Sequence, residues 1–441
     1  MSQLLLLLLV LAASLAWPAS CKPLPVVVPV TKDPVTSLYT IPFYDGANLV
    51  VDIAGPLVWS TCQRGHLPAK FACKSDTCKL ANAYPVPGCS AAGCGHDPRK
   101  DRTCTAYPYN PVTGACAAGS LVHTRFIANT TDGKNPVNQV SVRAVSACGT
   151  TKKLMASLPL GASGVAGLAG TALALPAQVT SSQKVARKFL LCLPGGGSYG
   201  DGVAIFGGGP LYLLEGQPEF TQSLEYTPLL TKKDSPAYYV TVKYLALDNS
   251  RVPLPPRALG TGGVALRTTE PYTTLRTDVY RPFVAAFGKA MAAQWQYARV
   301  VKPVAPFGLC YDARTLVNAH SGYMVPSVTL ALDGGKKWTM AGVNSMVDVK
   351  QGTACLAFVE MKGVKAGDVN APAVVVGGFQ MENFVLQFDL EKKRLGFLRL
   401  PFYTPTYRFK SPIKRAWLVP GEVEVATCGP DEEQRATEPE P

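Results

Sequence analysis

The stretch VVVGGFQMENFVLQFDLEKKRLGF (residues 374–397) decides how the chain is read. It opens as an apolar run that closes on a glycine turn. A second run of the same form, GVAGLAG, lies far upstream at residues 164–170. Each follows a distinctive earlier stretch: VVDIAG (50–55) precedes the first, and GGVALRTTEPYTTL (262–275) precedes the second. Two halves, each with an early special turn and a late apolar-glycine turn, suggest a duplicated, two-lobed protein. Spacing alone leaves that reading open.

Around these motifs the chain is apolar and rich in turn formers. Of 441 residues, 47% are hydrophobic and only 17% charged, with 40 Gly and 37 Pro. That balance reads as a mostly β, loop-rich protein large enough for two lobes, not a helical bundle or a disordered chain. Short strand-like runs stand between Gly, Pro, Asn and Asp: Leu49 to Val51, Val140 to Val142, Val203 to Phe206, Tyr238 to Val242, Val328 to Leu332 and Val374 to Val376. Helical periodicity is clearest over residues 278–294, where Val279, Phe283, Phe287 and Met291 recur every fourth residue. A shorter helix is predicted over residues 176–190, with Val179, Val185, Phe189 and Leu190 apolar.

Residues 1–21 open with a leucine run and end in small residues, the pattern of a secretory signal. The run is too short for a membrane anchor, and Pro18 interrupts it. Beyond Cys21, at the signal boundary, twelve cysteines remain: Cys62, Cys73, Cys78, Cys89, Cys94, Cys104, Cys116, Cys148, Cys192, Cys310, Cys355 and Cys428. An even count behind a signal predicts disulfides in an oxidising compartment. The spacings Cys73 to Cys78 and Cys89 to Cys94 fit no zinc pattern well, and no metal or cofactor is expected. Asn129-Thr130-Thr131 reads as a glycosylation sequon in a polar loop. The net charge is 43 − 30 = +13, scattered without a basic-aromatic motif, so neither nucleic acid nor membrane is the expected partner. Residues 404–441 change from basic to acidic and read as a mobile extension.

The motifs together resemble the pepsin-like aspartic proteases, in their plant, cysteine-rich branch. VVDIAGPLVWSTC (50–62) is similar to the first-lobe aspartate turn, SGVAGLAGTALALPAQ (163–178) to that lobe's apolar-glycine segment, and residues 374–397 to the end of the second lobe. The likeness covers about residues 24–400. Within the branch, LPVVVPVTKDPVTSLYTIPFYDGANLVVDIAGPLVWSTC (24–62), CTAYPYNPVTGACAAGSL (104–121) and EKKRLGFLRLP (391–401) resemble the TAXI-type cereal endoxylanase inhibitors. The implied fold is a mostly β, two-lobed pepsin-like structure with a few short helices and a disulfide-rich first lobe. Its implied parts are residues 22–200 and 201–403. The resemblance also implies four bridges among the eight cysteines from Cys62 to Cys148. Cys310 would then pair with Cys355, and Cys192 with Cys428.

Peptide hydrolysis on this scaffold requires two carboxylates sharing a proton, one from each lobe. Asp52 and Gly55 are present, but Ile53 and Ala54 replace the usual hydroxyl residue and its neighbour. In the second lobe the matching aspartate position holds Arg267, and the glycine position holds Thr269. An Arg cannot serve as an acid near neutral pH. Glu270 is the one nearby carboxylate that could substitute, and it falls in a turn of different direction. Asp52 is therefore expected to be a structural carboxylate, paired with Arg267, and the chain to be no protease.

The resemblance instead implies a monomeric, apoplastic inhibitor of secreted microbial glycoside hydrolases, family 11 endoxylanases above all, acting in plant defence. Such enzymes cut with two carboxylates at the floor of a cleft that a loop can fill. The family's inhibitory loop corresponds to Leu400-Pro401-Phe402-Tyr403, with Phe402 where a His is expected. Phenylalanine can stack in a sugar subsite but cannot make the charged contact. A second contact segment follows the long helix and carries Trp295, Tyr297 and Arg299. Trp295 can also be read as capping the helix against the core. Three alternatives remain: a storage or binding protein of the seed-globulin type, an inhibitor of another glycosidase such as a glucanase and, behind both, an active aspartic protease that uses Asp52.

Overall fold

A computed structural model describes residues 23–44, 47–62, 66–67, 71–86, 88–89, 103–195, 202–212 and 219–400. The predicted signal, residues 404–441, Pro401, Phe402, Tyr403, Cys94 and Cys428 lie outside them.

The two halves predicted from the paired motifs are built the same way. In the first lobe, strand Ala47–Asp52 runs parallel to Ala162–Gly167, with Asp52 opposite Gly167. The latter strand is antiparallel to Val58–Ser60 on its other side, with Trp59 opposite Val165. In the second lobe, Val264–Leu266 runs parallel to Val374–Val376, with Leu266 opposite Val376. That strand is antiparallel to Thr273–Leu275 on its other side. In both lobes the first strand ends in a turn whose chain folds back to the far side of the same central strand. The crossing leaves no room for a side chain. A Cβ on Gly167 would lie 2.4 Å from the Leu57 carbonyl oxygen, and one on Gly377 would lie 2.4 Å from the Tyr272 carbonyl carbon.

The lobes share hydrogen-bonded sheet. Phe384–Asp389 of the second half pairs with Lys188–Cys192, and Arg394–Arg399 pairs with Phe384–Asp389. These strands belong to a 14-stranded sheet that continues into the first lobe. Apolar, β-branched runs explain the central strands: Val374–Val376 is buried throughout, as a strand covered on both faces must be. Aromatic packing ties the halves together, with Phe189 and Phe388 stacked at 4.5 Å.

Helix Thr277–Gln294 confirms the fourfold spacing: Val279, Phe283 and Phe287 are 0% exposed and Met291 1%. Fully burying each such side chain is worth about 1.5–3 kcal/mol. The helix starts beside a fully buried Arg276. Its guanidinium forms two hydrogen bonds to the Asp278 carboxylate and others to the carbonyls of Thr261, Asp368 and Ala258. The helix predicted over residues 176–190 is shorter than expected. It spans Leu175–Gln183 and stops at Lys184, which takes a left-handed conformation (φ 53°). Phe189 and Leu190 then enter strand Lys188–Cys192.

The cysteine-rich region is stapled by Cys62–Cys148, Cys78–Cys104 and Cys89–Cys116, and Cys73 is disulfide-bonded as well. Cys310–Cys355 joins residues directly opposite each other on neighbouring strands. Among the described residues Cys192 is a half-buried free thiol, and burial pushes its pKa up to about 12; its expected partner Cys428 lies outside them. Asn129 corrects an expectation. It lies in strand Gly119–Thr131, not in a polar loop, facing Gln139 on one side and Val27 on the other. It is 7% exposed.

Candidate functional site

The special turns of the two lobes meet in the middle of the molecule. Asp52 ends its strand at 5% exposure. Its Oδ1 accepts the Ala54 N–H at 2.9 Å, and the Gly55 N–H donates to its carbonyl at 3.1 Å. Burial pushes the Asp52 carboxyl above its usual range. The Ala54 N–H and the Arg267 charge pull it the other way, and burial prevails.

The second turn is registered against the first by Thr268. Its hydroxyl donates to the Val51 carbonyl at 2.5 Å and accepts the Ile53 N–H at 3.3 Å. Thr268 thus spans the residues on either side of Asp52. Arg267, immediately before Thr268, stands in its turn where Asp52 stands in the first. The Arg267 backbone N–H donates to Val376 at 3.0 Å, continuing the strand pairing toward Gly377. The expected side-chain pair between Asp52 and Arg267 does not form. The two groups feel each other's charge without an ion pair or hydrogen bond, and the Arg267 Nε is buried with no partner. Glu270, three residues on, is also held above the usual carboxylate range by burial, with Arg267 opposing.

A cavity of about 220 Å³ opens beside the turns, with Asp52, Arg267, Trp59, Tyr84, Tyr107 and Tyr109 on its walls. Sequence reasoning missed the three tyrosines. They come from the irregular, disulfide-bonded part of the first lobe, where no periodicity marks a face. The available signals were the aromatics and prolines in CTAYPYNP, which holds Tyr107 and Tyr109, and in AYPVPG, which holds Tyr84.

The expected contact residues sit elsewhere. Tyr297 is 89% exposed and Arg299 is exposed, on the connection between the long helix and strand Val300–Val301. That connection is held by the Arg299 N–H to Thr315 Oγ1 and by the Asp312 N–H to the Arg299 carbonyl. Trp295 differs from its neighbours: it is the residue closing the helix and packs half-buried against the main core. Leu400 is half-buried too, against the cluster containing Val385 and Leu211, and donates its N–H to Asn383. It is therefore packed and not a loop tip, and the rest of that expected loop lies outside the described residues.

Two lobes of this form, joined by shared sheet around paired turns, define a pepsin-like protein. The chain belongs to the xylanase inhibitor family: the family's "Xylanase inhibitor N-terminal" description matches residues 39–208 and its "Xylanase inhibitor C-terminal" description matches residues 237–399. It is similar to a protein of Oryza sativa subsp. japonica named chitinase CLP, 48% identical over 398 residues that cover 88% of this chain and 92% of that one. Among solved structures it is similar to that of edgp, with a TM-score of 0.75 at 31% identity, covering 87% of this chain and 96% of the other. It is also similar to basic 7S globulin from soybean, with a TM-score of 0.70 at 27% identity, covering 87% and 97%.

Proposed function

We propose that this chain is a pepsin-like protein without proteolytic activity that binds and inhibits a secreted glycoside hydrolase, with family 11 endo-1,4-β-xylanases as the first target class. The observation that carries the loss of proteolysis is the place of Arg267. Arg267, next to the Thr268 clasp, occupies the turn position that matches Asp52, which supports a guanidinium in place of the second acid. A guanidinium is a donor without an acidic carboxyl, so it can neither share a proton with Asp52 nor protonate a substrate carbonyl. Ile53 also supplies no hydroxyl to the network.

The target class rests on membership of the xylanase inhibitor family over both lobes. A cleft-blocking protein needs exposed anchors on a firm support. Tyr297 and Arg299 meet that need on a connection hydrogen-bonded at both ends, and aromatics and Arg are favoured anchors at interfaces. Phe402 would supply a stacking group where the family has a charged one. The predicted leader and disulfides favour a secreted, monomeric, extracellular protein acting in the plant apoplast.

A second reading follows from the rice relative, whose name is that of a chitin-hydrolysing enzyme. A third, a seed-globulin-type binding or storage role, follows from the likeness to the soybean globulin. A panel of purified family 10, 11 and 12 glycosidases, assayed with the secreted protein, separates these readings when run beside colloidal chitin and an acid-protease substrate. Inhibition confined to the glycosidases supports the proposal. Chitin release without inhibition favours the second reading, and no effect in any assay at micromolar protein favours the third. Phe402→His is expected to tighten binding to family 11 enzymes. An unchanged inhibition constant would remove that loop from the contact.

A further inference from the structure

Arg276 and Arg267 show two fates of a guanidinium in one protein. Arg276 is fully buried, with hydrogen bonds from its Nε and both terminal nitrogens. The Arg267 Nε is equally shut off from solvent and has no partner, and no carboxylate among the described residues forms an ion pair with this side chain. A buried donor left unfilled costs about 1–3 kcal/mol. Arg267 lines the cavity beside the two turns, which it shares with the partly exposed rings of Tyr84, Tyr107 and Tyr109. The Trp59 indole N–H holds that wall in place by donating to the Tyr109 carbonyl at 2.9 Å.

We propose that this cavity is a binding site for a small monocarboxylate with an aromatic or apolar body, its carboxylate on the Arg267 guanidinium and its body against Tyr84, Tyr107 and Tyr109. Guanidinium and carboxylate are planar forks that match bidentately, and aromatic rings offer the body an offset or edge contact. A cavity of about 220 Å³ has the volume of roughly seven waters. That is room for one ring with a short acid arm, and it is smaller than the roughly 300 Å³ at which sites for drug-sized ligands begin. Two carboxyl groups share the walls and bear on this choice. Asp52 Oδ1 is already engaged by the Ala54 N–H, and burial favours its neutral form. Asp234 is exposed and forms no ion pair with Arg267 among the described residues. Neither neutralises Arg267 directly.

The proposal does not depend on glycosidase inhibition and is tested without it. The full secreted chain is titrated calorimetrically with 3-phenylpropionate and with 3-phenylpropionamide, which share shape and differ in charge. The acid is expected to bind about tenfold tighter or more, about 1.4 kcal/mol. Arg267→Gln is expected to erase the difference, and Arg267→Lys to keep part of it. Tyr84→Ala is expected to weaken acid and amide alike while preserving their ratio. The acid-to-amide ratio on the unaltered protein needs no variant, so misfolding of Arg267→Gln leaves the test intact. Equal binding of acid and amide, acid binding that survives Arg267→Gln, absence of binding at millimolar ligand, or preferential binding of di-N-acetylchitobiose would each overturn the proposal.

Discussion

Thr268 of the second lobe holds Val51 of the first: its hydroxyl donates to the Val51 carbonyl at 2.5 Å while accepting the Ile53 N–H at 3.3 Å. The clasp is one-sided, because Ile53 has no hydroxyl to return. It fixes the register of the turns that carry Asp52 and Arg267, and so the chemistry possible between them.

Thr268→Val keeps the shape of the side chain and removes both hydrogen bonds. Two buried backbone groups are left without this partner, so a loss of about 1–3 kcal/mol is expected. Urea denaturation should show a lower midpoint at unchanged slope, with Thr268→Ser close to the unaltered protein. Equal midpoints for the valine variant would mean that the clasp does not hold the lobes in register.

Asp52→Asn should change stability in a pH-dependent way. The folded-state pKa of Asp52 is raised, so the fold prefers the protonated form. The cost of ionising it sets in as pH rises above the unfolded value of about 3.9 and grows until the folded value is passed. Asparagine removes that cost and can still accept the Ala54 N–H. The variant is therefore expected to be more stable than the unaltered protein at pH 7, with the advantage shrinking toward pH 3. An advantage that grows as pH falls would reverse the assigned direction.

Asp278→Asn tests the buried pair at the start of the long helix. The Arg276 side chain is 0% exposed and that of Asp278 14%. Removing one charge leaves the other buried and uncompensated, at a cost of roughly 3 kcal/mol or more. The carboxyl of Asp278 lies below its usual range, chiefly because of its hydrogen bond to Arg276. Its contribution is present above about pH 4 and lost as pH falls through the lower folded value. Thermal melts from pH 7 to pH 2 should converge for variant and unaltered protein at the acid end. Melts that stay parallel would place the effect elsewhere.

These sites differ in how far sequence could reveal them. The long helix was legible because its apolar face repeats every fourth residue and lies against one core. The paired turns were legible because glycine is obligatory where two backbones nearly touch, as at Gly167 and Gly377. The second predicted helix failed at Lys184, whose left-handed conformation no periodicity announces. Asn129 misled because three polar residues in a row look like a loop. Here the strand is paired on both sides, and Thr130 and Thr131 are buried with it. The tyrosine wall of the cavity was invisible for a different reason. Disulfides shape its segment, and which cysteines pair is not written in their spacing.

Cys192 offers a simple check on the disulfide layout. A half-buried thiol with a pKa near 12 is almost wholly protonated at pH 8 and should alkylate slowly in the folded protein. Peptide mapping after iodoacetamide should show this cysteine modified only when the chain is first unfolded without reductant. Rapid labelling of the native protein would contradict the free, shielded thiol, and recovery of Cys192 in a bridge with Cys428 would restore the pairing expected from the sequence.

On the proposed function, a pepsin-like scaffold with Arg267 in its second turn acts by blocking a glycoside hydrolase. The most direct measurement is the initial rate of xylan hydrolysis by a family 11 endoxylanase titrated with the purified secreted protein, beside a Tyr297→Ala/Arg299→Ala variant. The expected result is inhibition that saturates at or below micromolar protein and weakens about tenfold or more in the variant, a loss of about 1.4 kcal/mol. Full xylanase activity at micromolar protein would contradict the account.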